Sequence, residues 1–138
     1  MENTLSIIKP EAVTRGLCGK IISQIEESGL KIVAQKMLQM SSEQAARFYA
    51  PHQGKAFFEG LVENITAGPI IVQVLCGENA IENYRKLMGN TNPVAAEEGT
   101  IRRLYGISIE KNAVHGSDNT ETAEREIDFF FNQLEILK

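Results

Sequence analysis

The apolar run at residues 70–75 is the feature that most limits the folds open to this chain. It lies just after Gly68-Pro69. A run of this kind favours a strand in the middle of a sheet. Further strands are predicted at residues 4–8, 30–40 and 113–115, and Lys9-Pro10 ends the first because proline has no N–H for a ladder. The sequence therefore predicts a four-stranded sheet around residues 70–75.

Between these strands, apolar residues recur at helical spacing. Residues 16–28 and 80–88 are predicted to be helices, each followed by a glycine, the usual residue after a helix end. Residues 57–65 predict another short helix, ended by Gly68-Pro69. Helices thus separate most of the predicted strands.

Two further helix starts are predicted from capping boxes, in which a polar side chain and a residue three positions later satisfy each other's backbone groups. Ser41-x-x-Gln44 opens a short helix that Pro51 ends, and Asp118-x-x-Glu121 opens the final helix. The apolar face predicted for the final helix consists of Ala123, Ile127, Phe130, Phe131 and Leu134.

Residues 90–112 show little regular pattern. A long irregular segment inside a compact domain is uncommon and is often functional. The order is therefore β-α-β, a helical insertion, β-α, a long loop at about residues 90–112, and β-α. It contains the βαββαβ pattern of a ferredoxin-like sandwich, an α+β fold with a four-stranded antiparallel sheet and helices on one face.

The composition predicts a single domain over residues 1–138. Hydrophobic residues make up 43% and charged residues 23%, as in ordinary globular proteins. Cys18 and Cys76 are isolated and predicted to be reduced, without zinc-ligand spacing. The N-terminus lacks signal-peptide features and no run approaches the roughly 20 residues of a membrane span, so a cytoplasmic location without membrane contact is expected. A net charge of −4 argues against nucleic-acid binding.

His115, one of two histidines, is a candidate nucleophile beside Gly116. Imidazole is mostly neutral near pH 7, so a ring nitrogen keeps the lone pair that lysine has lost to a proton. Gly116 has no Cβ, which allows a bulky group to approach the ring and the backbone to turn sharply. The alternative is an ordinary turn histidine.

Glu126 is a candidate partner for this histidine. It comes three residues after Ala123 and four before Phe130, so helical geometry places it at the edge of the inward face. A carboxylate there needs a partner, and His115 could donate an N–H that fixes the tautomer. The alternative is a solvated charge at the helix edge.

A histidine nucleophile suits phosphoryl transfer, in which catalysis is mainly positioning and charge neutralisation. Lys9 at a strand end, Arg85 at the inner edge of its helix and Arg102 in the long loop could supply the cations, and Thr91 a hydroxyl. Each could instead be a solvated surface residue. The Gly-Lys pairs at residues 19–20 and 54–55 lack the rest of a Walker loop, so any phosphate cradle is built differently.

Six further segments, spread over essentially the whole chain, carry a resemblance when they are taken together and in order. They are Ser6-Ile7-Ile8-Lys9-Pro10-Glu11-Ala12-Val13, Phe48-Tyr49, Phe57-Phe58-x-Gly60-Leu61-Val62, Gly89-x-Thr91-Asn92-Pro93, Gly99-Thr100-Ile101-Arg102 and Asn112-x-Val114-His115-Gly116-Ser117-Asp118. These segments resemble the nucleoside diphosphate kinase family, and the run His-Gly-Ser-Asp with its upstream Asn is the most specific. Ala56 and Arg103-Leu104 depart from the family's pattern.

The resemblance implies transfer of the γ-phosphoryl group of a nucleoside triphosphate, mainly ATP, to a nucleoside diphosphate through a phosphohistidine. It assigns His115 as the nucleophile and Glu126 as the carboxylate that orients it. It also implies a homo-oligomer, a hexamer or a tetramer, and Mg²⁺ held largely by the nucleotide phosphates, so no protein ligand is named. The other roles that it implies are phosphate contacts by Lys9, Arg85, Thr91 and Arg102, sugar contacts by Lys9 and Asn112, base stacking on Phe57 with Ile109 as a plausible apolar neighbour, and a place beside the phosphoryl path for Tyr49.

Three other functions have to be weighed. Ferredoxin-like domains often serve as small-molecule sensors, but a sensor has no need of an oriented nucleophile. RNA binding on the sheet is disfavoured because the predicted strands lack paired aromatic residues. A Ser-His-Asp hydrolase is disfavoured because His115, Ser117 and Asp118 are too close in sequence to reach one another readily as a triad.

Overall fold

Four strands form a single antiparallel sheet in the computed structural model, which describes residues 1–138. Their order across the sheet is β2-β3-β1-β4. All four predicted strands are confirmed, and β3 lies inside the sheet as its apolar sequence indicates. The strands are β1 (Glu2–Ile8), β2 (Lys31–Leu38), β3 (Ile70–Gly77) and β4 (Val114–Gly116).

Seven helices connect and cover these strands. The helices predicted at residues 16–28, 57–65 and 80–88 are confirmed within two residues at each end. Their bounds are α1 (Pro10–Thr14), α2 (Cys18–Glu27), α3 (Ser42–Phe48), α4 (Phe58–Ile65), α5 (Ala80–Met88), α6 (Ile101–Tyr105) and α7 (Thr120–Phe130), and 3₁₀ turns lie at Ala50–His52, Pro93–Ala95 and Gln133–Glu135.

Helices cover both faces of the sheet, whereas the sequence predicted them on one face only. Leu5 and Ile7 of β1 pack into one core with residues of α3, α4 and α7. Ile8 of β1 and Leu75 of β3 pack into a second core with residues of α1, α2, α5 and α6. Because neighbouring residues of a strand point to opposite faces, a strand covered on both sides is apolar nearly throughout. Burial of both faces therefore explains the apolar run at residues 70–75.

The predicted start of the last helix is wrong by one residue. Asn119 is the N-cap of α7, and its side chain accepts from the Thr122 N–H at 2.8 Å. Asp118 instead pairs with an arginine, as described below. The helix ends at Phe130, so Leu134 falls in a 3₁₀ turn and is 96% exposed, outside the predicted apolar face. The capping box of Ser41 and Gln44 is confirmed.

The segment of residues 90–112 contains more regular structure than predicted. A 3₁₀ turn covers Pro93–Ala95, and α6 is capped by the Thr100 side chain. Helix α1 was likewise not predicted. Both α1 and α6 have five residues, which is too short for helical periodicity to be visible in a sequence. Only parts of residues 90–112 are irregular.

No helix has both the length and the apolar character needed to cross a membrane. Cys18 and Cys76 are both free thiols and partly buried. No group of three or more His, Cys, Asp or Glu side chains is arranged to hold a metal ion.

Candidate active site

A cavity of about 630 Å³ opens where β1 and β4 meet the ends of α5 and α6. Lys9 follows the last residue of β1, and His115 on β4 lies opposite Ile7 of β1. The antiparallel pairing of two short segments therefore places a cation and an imidazole at one cavity. The predicted site residues that line it are Lys9, Tyr49, Phe57, Arg85, Thr91, Arg102, Ile109, Asn112 and His115.

Glu126 lies behind His115, away from the cavity. Its Oε1 and Oε2 are 3.0 and 3.2 Å from Nε2 of His115. The Ser117 hydroxyl donates to the same carboxylate at 2.7 Å. With Nε2 engaged by Glu126, Nδ1 is the ring nitrogen left for a reacting group. The carboxylate thereby fixes which nitrogen is available.

Glu126 is only 4% exposed, which confirms the predicted place at the inward edge of α7. Burial acts to raise the pKa of its carboxyl, but hydrogen bonds and charge from His115, with help from Ser117, lower that pKa below its usual value. The carboxylate is therefore held ionised against the cost of burial. An ionised partner stabilises positive charge that forms on the imidazole.

Lys9, Asn112 and Thr91 form a connected chain at one wall of the cavity. The Lys9 ammonium donates to Oδ1 of Asn112 at 2.7 Å, and Nδ2 of Asn112 donates to the Thr91 carbonyl at 3.0 Å. Burial lowers the pKa of Lys9 to about 8, and although the charge of Glu11 acts in the opposite direction, that of Arg102 lowers it further. Asn112 thus holds an ammonium that loses its proton more readily in the folded protein than in water.

Arg102 is buried and lies in α6, whereas the sequence predicted it in an irregular loop, with a solvated surface residue as the alternative. Its guanidinium donates to the Gly89 and Val114 carbonyls, each at 3.0 Å, from within α6. Nε of Arg102 has no hydrogen-bond partner in the protein. Burial lowers the pKa of this guanidinium. The two carbonyl contacts hold the side chain at the cavity wall.

Arg85 does not lie on the inner edge of its helix as predicted. Tyr84, its neighbour on α5, is fully buried, whereas the Arg85 side chain is half exposed. Its guanidinium donates to Oδ1 of Asp118 at 2.7 Å across the mouth of the cavity. The capping role predicted for Asp118 is replaced by this ion pair.

The outer part of the cavity offers apolar surface. Phe57 and Ile109 are each more than half exposed, so both are free to contact a planar group. Tyr49 lies deeper and is buried. Burial raises the pKa of its phenol, and the charges of Glu126 and Glu11 raise it further, so this hydroxyl stays protonated at neutral pH.

Two residues near the cavity had no role in the sequence prediction. His52, the second histidine, lines the cavity with its ring 5.4 Å from that of Phe57. Ser117 belongs to the His-Gly-Ser-Asp run, but its contact with Glu126 depends on how β4 and α7 meet. The count of histidines could have drawn attention to His52, whereas no local signal points to the Ser117 contact.

The family of the chain follows from its sequence relatives. The family model described as nucleoside diphosphate kinase matches residues 2–136. A nucleoside diphosphate kinase of Hydrogenovibrio crunogenus is 52% identical over 136 residues, which cover 99% of this chain and 96% of the relative. The chain belongs to the nucleoside diphosphate kinase family.

Solved nucleoside diphosphate kinases share the fold. The enzyme of Aquifex aeolicus superposes with a TM-score of 0.97 at 40% identity, covering 99% of both chains. A halophilic nucleoside diphosphate kinase of Halobacterium salinarum, solved in complex with CDP, gives a TM-score of 0.95 at 42% identity and covers 99% of this chain and 91% of its own. The ferredoxin-like α+β fold predicted from the sequence is confirmed.

As a nucleoside diphosphate kinase, this protein is a phosphotransferase whose substrates are nucleoside di- and triphosphates. It transfers the γ-phosphoryl group of a triphosphate to a diphosphate by the ping-pong mechanism of the family, through a phosphohistidine. Kinases of this kind generally need a divalent cation.

Proposed function

We propose that His115 is the residue that carries the phosphoryl group. The observation that supports this assignment is the engagement of Nε2 by Glu126 at 3.0 Å, which leaves Nδ1 for the substrate. Glu126 is the positioning carboxylate, and Ser117 fixes the orientation of Glu126 in turn. The pair resembles the base and its orienting acid in other nucleophilic sites.

In the first half-reaction, Nδ1 of His115 attacks the γ-phosphorus of a nucleoside triphosphate, mainly ATP. A P–N bond forms, the bond from the γ-phosphorus to the bridging oxygen breaks, and the diphosphate leaves with that electron pair. In the second half-reaction, an oxygen of the acceptor's terminal phosphate attacks the phosphorus and the electron pair returns to Nδ1. Glu126 stabilises the positive charge on the ring while the P–N bond exists.

Lys9, Arg85, Arg102 and Thr91 bind the phosphates in this proposal. Cations that are already oriented stabilise the charge of the transferring group without reorganising. Arg102 meets this requirement because two carbonyls hold its guanidinium. Arg85 must loosen its contact with Asp118 to turn towards a phosphate.

The nucleoside lies at the outer part of the cavity. Lys9 and Asn112 contact the sugar hydroxyls, the base stacks on Phe57 beside Ile109, and Tyr49 lies next to the phosphoryl path. Stacking uses the π-face that every base shares, so purine and pyrimidine nucleotides are both accepted. The CDP complex of the Halobacterium salinarum relative supports binding of a pyrimidine diphosphate in a fold of this kind.

Mg²⁺ is the proposed cation, bound as the complex with the nucleotide. This ion prefers phosphate oxygens and waters with one or two carboxylates rather than a cage made of protein side chains. Asp118 and Glu110 are the carboxylates at the cavity, so the residues present suit that arrangement. When bound, the ion neutralises phosphate charge, and the cationic side chains do so from the other sides.

The chain is proposed to be one domain over residues 1–138, since both cores pack on one sheet. It is further proposed to form a homo-oligomer, a hexamer or a tetramer, because Val94, Leu104 and Ile107 are exposed on the segment of residues 90–112. A cytoplasmic location without membrane or specific nucleic-acid partners remains a prediction. Cell fractionation and a nucleic-acid binding assay test it.

Labelling with γ-labelled ATP and Mg²⁺ tests the assignment of His115. The protein should acquire an acid-labile label, and any common nucleoside diphosphate should remove it at a similar rate. His115→Ala should not become labelled and should lose at least about 10⁴ in turnover, as when a nucleophile is removed. EDTA should prevent labelling and added Mg²⁺ should restore it.

His52→Ala is the matched control, because this histidine lines the same cavity on the side of Phe57. It should still be labelled. An acid-labile label on His115→Ala would contradict the proposed site. So would an unmodified protein that transfers its label only to the diphosphate of one base.

A further inference from the structure

The backbone at Ala113 has a strained conformation next to the catalytic histidine. Its φ is +76°, a region that residues with a Cβ rarely adopt, and the residue is fully buried. The Val114 N–H donates to the Asn112 carbonyl at 2.9 Å, which closes a three-residue turn around Ala113. A γ-turn with positive φ at its centre is rare and strained. Such strain persists only where the surroundings hold it.

Ala113, at the centre of the turn, lies between two residues of the site. Asn112, on one side, contacts Lys9 and the Thr91 carbonyl. His115, on the other side, is the middle residue of β4. A change of the Ala113 φ would therefore move the sugar-binding amide relative to the nucleophile.

Two hydrogen bonds hold the turn from outside. The Lys9 N–H donates to the Ala113 carbonyl at 2.9 Å, which continues the pairing of β1 with β4. The Ala113 N–H donates to Oε1 of Glu11 at 3.0 Å. Glu11 comes from the first turn of α1, directly after Lys9-Pro10. The segment of residues 9–11 thus binds both the backbone carbonyl and the backbone N–H of Ala113.

The carboxylate of Glu11 forms no ion pair that would account for its position. No ammonium or guanidinium lies within 4.0 Å of its carboxylate, although Arg15 and Lys111 line the same small surface hollow. A charged acceptor also makes a stronger hydrogen bond than a neutral one. The carboxylate therefore acts mainly on the Ala113 amide.

We propose that Glu11 is a positioning residue for phosphoryl transfer, because its carboxylate holds the strained turn at Ala113 that sets Asn112 against His115. The inference rests on the proposed role of His115. A wrong role for Glu11 can be distinguished from a wrong role for His115. If His115 is not the nucleophile, the unmodified protein does not form the phosphohistidine there, whereas the role of Glu11 is tested by rates among variants that do form it.

A second effect of Glu11 has to be separated from the first. Its charge acts to raise the pKa of Lys9 and contributes to the raised pKa of Tyr49. Glu11→Gln removes this charge but keeps an oxygen that accepts from the Ala113 amide. Glu11→Ala removes both.

The expected order of activity near pH 7 follows from the hydrogen bond. Glu11→Ala should lose about 10–100-fold in kcat/KM, the scale of a small misplacement of catalytic groups. Glu11→Gln should recover most of this loss, to within about fivefold of the unmodified protein. Glu43 is the matched control, since it is an exposed acid in the first turn of α3, and Glu43→Ala should keep full activity.

Ala113→Gly provides the decisive comparison. Glycine adopts positive φ without a steric cost, so the turn no longer needs to be held. Glu11→Ala should therefore cost at least about fivefold less in the Ala113→Gly background than in the unmodified chain. Equal losses in both backgrounds would overturn the proposal, as would a loss in Glu11→Gln as large as in Glu11→Ala.

A spectroscopic measurement gives a readout besides activity. The Ala113 amide proton, bonded to a carboxylate, should resonate downfield and should move upfield in Glu11→Ala but not in Glu43→Ala. This comparison also holds if Glu11→Ala is less stable, provided that it folds. If Glu11→Ala does not fold, Glu11→Gln carries the test, and an unchanged Ala113 resonance with a full loss of activity would refute the positioning role.

Discussion

The proposed contact of Lys9 with the phosphates predicts a pH dependence of the rate. Burial lowers the pKa of its ammonium from 10.5 to about 8. In the proposed site the protonated form binds phosphate, and this form exists below that pKa, so the kcat/KM of the free protein should fall as the pH rises through about 8. A bound phosphate favours the cation, and kcat should therefore fall only at higher pH. A pH-rate profile between pH 6 and 10 measures both limits.

Lys9→Arg is the control for this assignment. Arginine remains charged throughout that range, so the variant should lose the alkaline fall even if its rate is lower. A profile of the unmodified protein that stays flat beyond pH 9 would show that Lys9 does not set the limit.

Arg85 and Arg102 should respond differently to truncation, because one is exposed and the other buried. Each alanine variant should lose roughly 10²–10³ in rate, since in the proposed site each removes a charge-assisted contact to the phosphates. Arg102→Ala should also lose about 1–3 kcal/mol of unfolding free energy, because the carbonyls of Gly89 and Val114 lose their donors. Arg85→Ala should keep its stability. Steady-state kinetics and urea titrations of both variants measure these effects, and equal stability would contradict the structural role of Arg102.

Single residues show what a sequence can and cannot indicate. The burial of Glu126 was predictable because a helix repeats every 3.6 residues and its neighbours on α7 are apolar. The burial of Arg102 was not, since its acceptors are carbonyls of α5's end and of β4, which are distant in sequence. Contacts set by local periodicity could be predicted, and contacts that depend on the packing of separate elements could not.

At the scale of elements, the approach of α5 to β4 explains Gly116. The sequence suggested a sharp turn, but Gly116 is the last residue of β4 and has no positive φ. A Cβ there would lie 2.6 Å from Cε of Met88 and 2.8 Å from the ring of Tyr84. The close approach at Gly116 is therefore to α5 behind the strand, whereas the sequence predicted the approach of a bulky group to the imidazole. Strands and long helices were predictable from their periods, whereas α1 and α6 were too short to show one.

Gly116→Ala should destabilise the fold by about 1–3 kcal/mol, the usual cost of overpacking. It should also lower kcat, because relief of the clash moves β4 and with it His115. Gly19→Ala in α2 is the matched control, since nothing lies within 4 Å of a Cβ at that position. Thermal unfolding and kinetics of the two variants make the comparison. A Gly116→Ala protein as stable and active as Gly19→Ala would rule out the tight contact.

At the scale of the whole molecule, helices cover both faces of the sheet, so its faces are not the exposed apolar surface. Three exposed apolar residues lie instead on the segment of residues 90–112. Val94 is 80% exposed, and Leu104 and Ile107 are each more than half exposed. All three belong to the segment that also carries Arg102. Apolar groups clustered on one segment indicate a surface that contacts another molecule. The sequence could predict an oligomer only through its resemblance to a family, because exposure depends on how the short turns of this segment fold.

Light scattering at micromolar concentration should therefore give a mass of four or six times 15.3 kDa, as expected for a closed homo-oligomer. Leu104→Glu should lower that mass, because a carboxylate would have to be buried in the contact without a partner. Lys86→Gln is the matched control, since it changes the net charge by the same amount at an exposed position of α5 and should leave the mass unchanged. The smaller Leu104→Glu species should also lose activity, because Arg102 lies on the same short helix and depends on its placement. A monomeric mass for the unmodified protein would refute the assembly, and an unchanged mass for Leu104→Glu would place the contact on another surface.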